Sequence, residues 1–174
     1  MGLLLKQIFA LFKMLNSDTG TNQIAAGVAA GFILGMTPAF SLQTLLVFIV
    51  IFFFRIQIGA AFLTAFFFKL VAYALDPVFH QVGIMVLESP GLKPTFTTLY
   101  NMPIVPYTRF YNSIVMGSGV VTVLASPFVF LLSKVLIKKY RQVFVEKFKQ
   151  TKVWKAVQAT SLYKWYYTYD NLYG

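Results

Sequence analysis

The sequence predicts an all-α integral membrane protein, a single membrane domain over residues 1–174, organised around a proline-broken helical hairpin. Three observations carry that prediction. Of the 174 residues, 58% are apolar and only 11% charged. A water-soluble domain of this size cannot hide so much apolar surface, so lipid is the solvent that suits it. Residues 19–54 and 110–133 form uncharged runs of 36 and 24 residues, beyond the roughly 18–20 that cross a bilayer. Within the first run, "GVAAGFILGMTPAF" sets Gly27, Gly31 and Gly35 four residues apart and follows them with Thr37-Pro38.

Residues 2–15 predict an interfacial helix. Leu4, Leu5, Ile8, Leu11, Phe12 and Leu15 recur at 3.6-residue spacing, with Lys6 and Lys13 on the opposite side. The segment is too short and too charged to span. Lys6 and Lys13 also interrupt its apolar block, and no small-residue cleavage site follows, so a retained segment is expected rather than a signal peptide. "NSDTGTN" then ends the helix and offers Asp18, Thr19, Thr21 and Asn22 as caps for the next.

Residues 22–54 would reach about 50 Å as one straight helix, against a hydrocarbon core of about 30 Å. A break at Thr37-Pro38 divides them into arms 22–36 and 39–54, each about 22–24 Å long, which suits a re-entrant hairpin entering and leaving on one side. A single kinked span is the alternative. Residues 58–75 predict the next span, ending at Asp76-Pro77 because proline disfavours helix in the residue before it. "VFHQVGIMVLE" reads as a short helix, and "SPGLKPTFTTLYNMPIVPYTR", with four prolines, as a loop. Residues 110–137 form the last span, with Ser126-Pro127 near its middle. Residues 138–165 read as a basic amphipathic helix, and "YKWYYTYDNLYG" as an aromatic headgroup-level cluster. Small residues precede both Thr37-Pro38 and Ser126-Pro127, which raises a diverged repeat of broken helices as one possibility.

The net charge is +10, and nine of the fifteen Lys/Arg lie between Lys134 and Lys164. Nucleic acid is one partner for such a segment. Here the cations follow an apolar span and alternate with Phe, Val, Trp and Tyr, which favours an anionic membrane surface. Lys138, Lys139, Arg141, Lys147, Lys149, Lys152 and Lys155 are the membrane-surface residues on this reading, with no nucleic-acid partner. The positive-inside rule puts this tail in the cytoplasm. Counting back, a same-side hairpin leaves Arg55, Lys6 and Lys13 there too, so both termini are expected to be cytoplasmic.

Gly27, Gly31 and Gly35 form a thin stripe that lets another helix approach closely, either the other hairpin arm or a partner, or that lines a groove. At Thr37-Pro38 the missing N–H frees carbonyls that need partners in hydrocarbon. Thr37, Ser41, Gln43 and Thr44 either satisfy that break or form a polar notch for a headgroup or solute. Lys69 is the charge well inside a predicted span; it joins the candidate lipid- or substrate-binding set with Thr37, Pro38, Ser41, Gln43 and Thr44, or it snorkels toward Asp76 as an anchor. Asp76 and His80 lack a third ligand, so no metal is expected. Five carboxylates, one histidine and no cysteine leave little for catalysis, and neither an enzyme nor a cofactor is expected.

At "IAAGVAAGFILGMTPAFSLQTLL" the chain resembles the bacterial domain-of-unknown-function family 2062, small inner-membrane proteins with a Gly-x-x-x-Gly-x-x-Pro-x-x-x-x-Gln signature. Gly31, Gly35, Pro38 and Gln43 occupy those positions. Ser41 stands where a glycine is frequent, and Arg55-Ile56-Gln57 where Arg-x-Asn often follows. The resemblance covers roughly residues 20–90 and implies a multi-pass location in the bacterial inner membrane. For a subgroup it implies company with large envelope-bridging proteins of the AsmA type, which are linked to phospholipid transport. The expected function is thus a non-enzymatic inner-membrane subunit of a phospholipid transport system, handing lipid to or anchoring a large envelope-spanning partner. A passive anchor or assembly subunit and a small-solute transporter are the alternatives.

Overall fold

The computed structural model describes Leu15 and residues 19–145, with side chains to Val143. Among the described residues the chain is all-α. Helices α1 (Thr21–Met36), α2 (Leu42–Phe53), α3 (Ile58–Leu87), α4 (Lys93–Tyr100) and α5 (Ser113–Tyr140) follow in order. A 3-10 turn, Val105–Thr108, precedes α5, and a π-helical turn, Arg141–Val145, follows it. The expected interfacial helix 2–15, apart from Leu15, lies outside the described residues, as do Lys147, Lys149, Lys152, Lys155 and the aromatic C-terminus. The chain divides into two compact units, Met1–Val135 and Leu136–Gly174. The boundary falls inside α5, one residue after Lys134 closes the uncharged run.

Polar residues set the helix starts. Ser41 precedes α2 in extended conformation and accepts the N–H of Thr44. The Gln57 side-chain oxygen accepts the N–H of Ala60 at the start of α3. Asn112 Oδ1 accepts the N–H groups of Ile114 and Val115 at 3.0 and 3.1 Å and so starts α5. These are amides that a helix start leaves without intrahelical partners.

Helices α1 and α3 run parallel with a constant offset of about thirty residues. Gly27 lies against Gln57 and Ala60, Gly31 against Ala61 and Thr64, and Gly35 against Ala65 and Phe68. A Cβ on Gly27 would stand 2.5 Å from the Gln57 carbonyl oxygen, and one on Gly35 2.7 Å from that of Ala65. Glycine is required at these contacts because no side-chain carbon fits between the two backbones. The penalty of glycine within a helix, roughly 0.5–1 kcal/mol against alanine, is offset by the dispersion and Cα–H···O contact that close approach allows. The glycine stripe is thus filled by α3, a helix neither the arm-packing nor the partner-docking reading had assigned to it.

Helix α2 returns antiparallel along α1. Ala30, Val47, Ile51 and Ala61 form one buried cluster, joining the two arms to α3. At the foot of the hairpin the Gln57 N–H donates to the Gln23 carbonyl at 3.3 Å, so the entry and exit of the hairpin lie together. A second cluster, Phe32, Met36, Ala72 and Phe79, is flanked by Ile114, Val121, Ala125 and Val129 and binds α5 to the other end of α1 and to α3. There Gly83 lies against Ser113, and Gly117 against Phe79 and Gly83, a second contact between backbones.

Helices α3 and α5 are long and apolar enough to cross a membrane, and only 28% and 11% of their most apolar stretches are buried. A core helix of a soluble protein is mostly buried; these present their apolar side chains outward. Phe62 and Leu70 on α3 and Leu124, Phe128 and Leu132 on α5 are all exposed, a surface suited to lipid rather than water.

Several boundaries differ from the sequence reading. Helix α3 does not stop at Asp76-Pro77: it continues to Leu87 with Pro77 inside it, absorbing the short helix expected after it. Proline removes one hydrogen bond, and packing on both sides of Pro77, Ala72 before and Phe79 and Gly83 after, holds the helix on course. The expected proline-rich loop contains α4, with Pro94 in its first turn where a missing N–H costs nothing, and the 3-10 turn. The break after α1 spans Thr37–Ser41, so the second arm begins at Leu42 rather than residue 39. Lys138 and Lys139 belong to the last turn of α5 rather than to a separate helix. The repeat is not supported by the local geometry: Pro38 ends a helix and Pro127 sits within one. At Pro127 the carbonyl left without its N–H is that of Val123, and Ser126 Oγ donates to it at 2.9 Å.

Candidate functional site

Thr37, Ser41, Thr44 and Lys69 come together at the turn between α1 and α2. Helix α1 ends at Thr37 because Pro38 holds the preceding residue extended, with φ −90° and ψ 152°. The Thr37 N–H and hydroxyl both donate to the Ile33 carbonyl, at 3.0 and 2.8 Å. Thr44 reaches back from α2 and donates its hydroxyl to the Pro38 carbonyl at 3.1 Å. Ser41 Oγ accepts the Thr44 N–H at 3.3 Å and lies 3.1 Å from Thr44 Oγ1.

The three hydroxyl protons can be assigned by elimination. Thr37 gives its proton to Ile33 and Thr44 gives its own to Pro38, so Ser41 supplies the bond to Thr44 Oγ1. Thr37 is fully buried and Ser41 nearly so. Of the two readings of this cluster, the geometry matches the one in which hydroxyls satisfy the backbone of the break. They have no proton left for a ligand.

Lys69 is brought to the same turn. Its Nζ donates to the Thr37 carbonyl at 2.9 Å, at the C-terminal end of α1. The anchoring reading had the stem reaching toward Asp76. Helical side chains tilt toward the N-terminus of their own helix, so Lys69 leans away from Asp76 and toward the level of α1's end. Asp76 has no part in the site.

Gln43, on the first turn of α2, extends to the other side. Its Nε2 donates to the Val115 carbonyl at 3.2 Å and its amide lies directly over Gly119. The Oε1 is buried without a partner. Gln43 therefore ties the turn to α5 rather than joining the hydroxyl cluster. Pro38 contributes its carbonyl and the break itself.

Other polar contacts lie outside this set. His80 Nδ1 and Ser113 Oγ are 2.6 Å apart where α3 meets α5. Ser118 and Thr122 are fully buried on α5, with hydroxyls bonded to its own backbone carbonyls. Sequence patterning does not single out Gly83; Gly117 and Gly119 lie in the small-residue stretch that precedes Ser126-Pro127. Arg109, after the 3-10 turn, is the described non-glycine residue with positive φ, at 56°.

Comparison with known proteins bears on the whole of this framework. An uncharacterized protein of Treponema pallidum (strain Nichols) is 28% identical over 161 residues, covering 92% of this chain and 99% of the relative. No solved structure matches the chain. The family described as "Uncharacterized protein conserved in bacteria (DUF2062)" matches residues 8–144, which take in every described α-helix and the polar turn, well beyond the 20–90 of the sequence resemblance. The chain belongs to this family.

Proposed function

We propose that the protein is a non-enzymatic, multi-pass protein of the bacterial inner membrane that takes part in phospholipid movement, through a re-entrant hairpin formed by α1 and α2. The observation that carries this reading is the position of the polar turn. With the thirty-residue offset, Thr37 stands beside residues 65–69 of α3, about 11–16 Å along the axis from Ile58. If Arg55 and Gln57 mark one interface, the turn sits near the middle of a core about 30 Å thick. Twenty residues of α3 then reach Pro77, and twenty of α5 run from Ser113 to Leu132, beside Lys134. Asp76, His80 and Arg109 fall near the far interface. The Gln57–Gln23 bond supports a hairpin that enters and leaves on one side. Positive-inside placement supports a cytoplasmic location for that side and for both termini.

A polar turn carrying a cation at mid-depth, beside helices that expose apolar side chains such as Phe62 and Leu70, suits passage or holding of an amphiphile whose head is polar. Lys138, Lys139 and Arg141 would lie on the cytoplasmic leaflet. A large envelope-spanning protein is the proposed partner that receives or delivers lipid. The rival reading, a passive anchor docked through the glycine stripe, loses its docking surface because α3 fills the stripe. A small-solute transporter would need a polar path to both faces, and the hydroxyls at the turn are consumed by the backbone.

The test is affinity purification of the tagged chain in mild detergent, with co-purifying protein and lipid identified together. Enriched phospholipid together with a large envelope protein is expected. Purification with neither would sink the proposal.

A further inference from the structure

We propose that Lys69 and the hairpin turn form a binding site for a phosphate oxyanion, the phosphodiester of a phospholipid headgroup. This rests on the phospholipid reading above and names the group that the site takes. Lys69 is half-buried, in the stretch of α3 whose other exposed residues are apolar, such as Phe62 and Leu70. Its ammonium has three donors and gives one to a neutral carbonyl, that of Thr37. The dipole of α1 places about half a negative charge at that end, which meets the lysine charge only in part. The two carboxylates among the described residues, Asp76 and Glu88, form no ion pair with it. In apolar surroundings an ammonium with charge left over calls for an anion.

The rest of the turn limits what that anion can be. The Thr37, Ser41 and Thr44 hydroxyls have spent their protons on one another and on the backbone, so Lys69 is the charged donor left for a ligand. In the same turn Phe40 is 81% exposed, and the first two turns of α2 expose Leu45 and Leu46. A charged oxygen joined to an apolar body matches a cation in such surroundings. A phosphodiester lipid has that form; a free phosphate offers the same oxyanion without the apolar body, and a fatty acid offers a carboxylate with it.

The full-length protein, delipidated in a non-ionic detergent, would be titrated with phosphatidylglycerol, oleate, diacylglycerol and inorganic phosphate. Binding would be read by native mass spectrometry and by the shift in thermal unfolding midpoint. Phosphatidylglycerol is expected to bind at one per chain. Lys69→Gln should weaken it by about ten- to a hundredfold, the range set by loss of one charged hydrogen bond, and Lys69→Arg should retain it. Displacement of the lipid by inorganic phosphate would support the oxyanion site and assign it to the free anion. Equal binding by oleate would overturn the phosphate assignment. Unchanged binding in Lys69→Gln would overturn the site and leave Lys69 as a cap on α1, even where phospholipid still co-purifies and the functional reading stands. If Lys69→Gln does not fold, diacylglycerol bound by the wild-type chain as tightly as phosphatidylglycerol would overturn it instead.

Discussion

Gly31 meets Ala61 backbone to backbone, its α-carbon pressed against the Ala61 carbonyl with no room for a Cβ between them. This contact is the centre of the α1–α3 interface, and a carbonyl cannot give way as a flexible side chain can. Gly31→Ala should therefore destabilise the fold by about 1–3 kcal/mol, the range for overpacking, and Gly31→Leu should abolish folding. Gly91, with nothing near it, is the control: Gly91→Ala should change stability by less than about 0.5 kcal/mol. Unfolding in mixed micelles by added dodecyl sulfate measures both.

Gln43 and Gly119 make a different kind of contact. A Cβ at Gly119 would strike the Gln43 amide, the far end of a flexible side chain. Gly119→Ala should displace that amide and lose its bond to Val115, a penalty of about 0.5–1.5 kcal/mol. Gln43→Ala should remove most of that penalty, giving a coupling measurable in a double-mutant cycle. Additive effects would mean that the two residues do not touch.

The break at Thr37-Pro38 was legible in the sequence because its cause is local. A 33-residue apolar stretch is too long for one span, and Thr37-Pro38 is where its helix must stop. The packing was not legible. Which helix fills a glycine stripe depends on tertiary register, and α3 met it in parallel after α2 had turned back. Asp76-Pro77 misled for the same reason: the bias against helix before proline is weak beside two flanking contacts, one on α1 and one on α5. Thr37, Ser41 and Thr44 could be named as a cluster from spacing alone. That their protons are all used, and that Lys69 reaches Thr37 rather than Asp76, required side-chain geometry.

Ser126 and Ser41 test how proline breaks are tolerated. Ser126→Ala should leave the Val123 carbonyl short of a donor and destabilise by about 0.6–1.7 kcal/mol, the span for hydrogen bonds within membrane helices. Ser41→Ala removes the cap of α2 and the bond to Thr44 together, and should have the larger effect, about 1–2 kcal/mol. Thr37→Val keeps the shape of a buried residue whose N–H still serves Ile33, so about 0.5–1 kcal/mol is expected. The same micelle titration ranks the three.

The hairpin itself is the central claim, and single-cysteine accessibility tests it most directly, since the chain has no cysteine of its own. Cysteines placed at Gly20, Arg55, Phe40 and Gly91 would be probed with a membrane-impermeant maleimide in spheroplasts and in inverted vesicles. The account predicts that Gly20 and Arg55 label from the cytoplasmic side, Gly91 from the opposite side, and Phe40 from neither. Labelling of positions 20 and 55 from opposite sides would contradict it and make residues 21–53 a crossing.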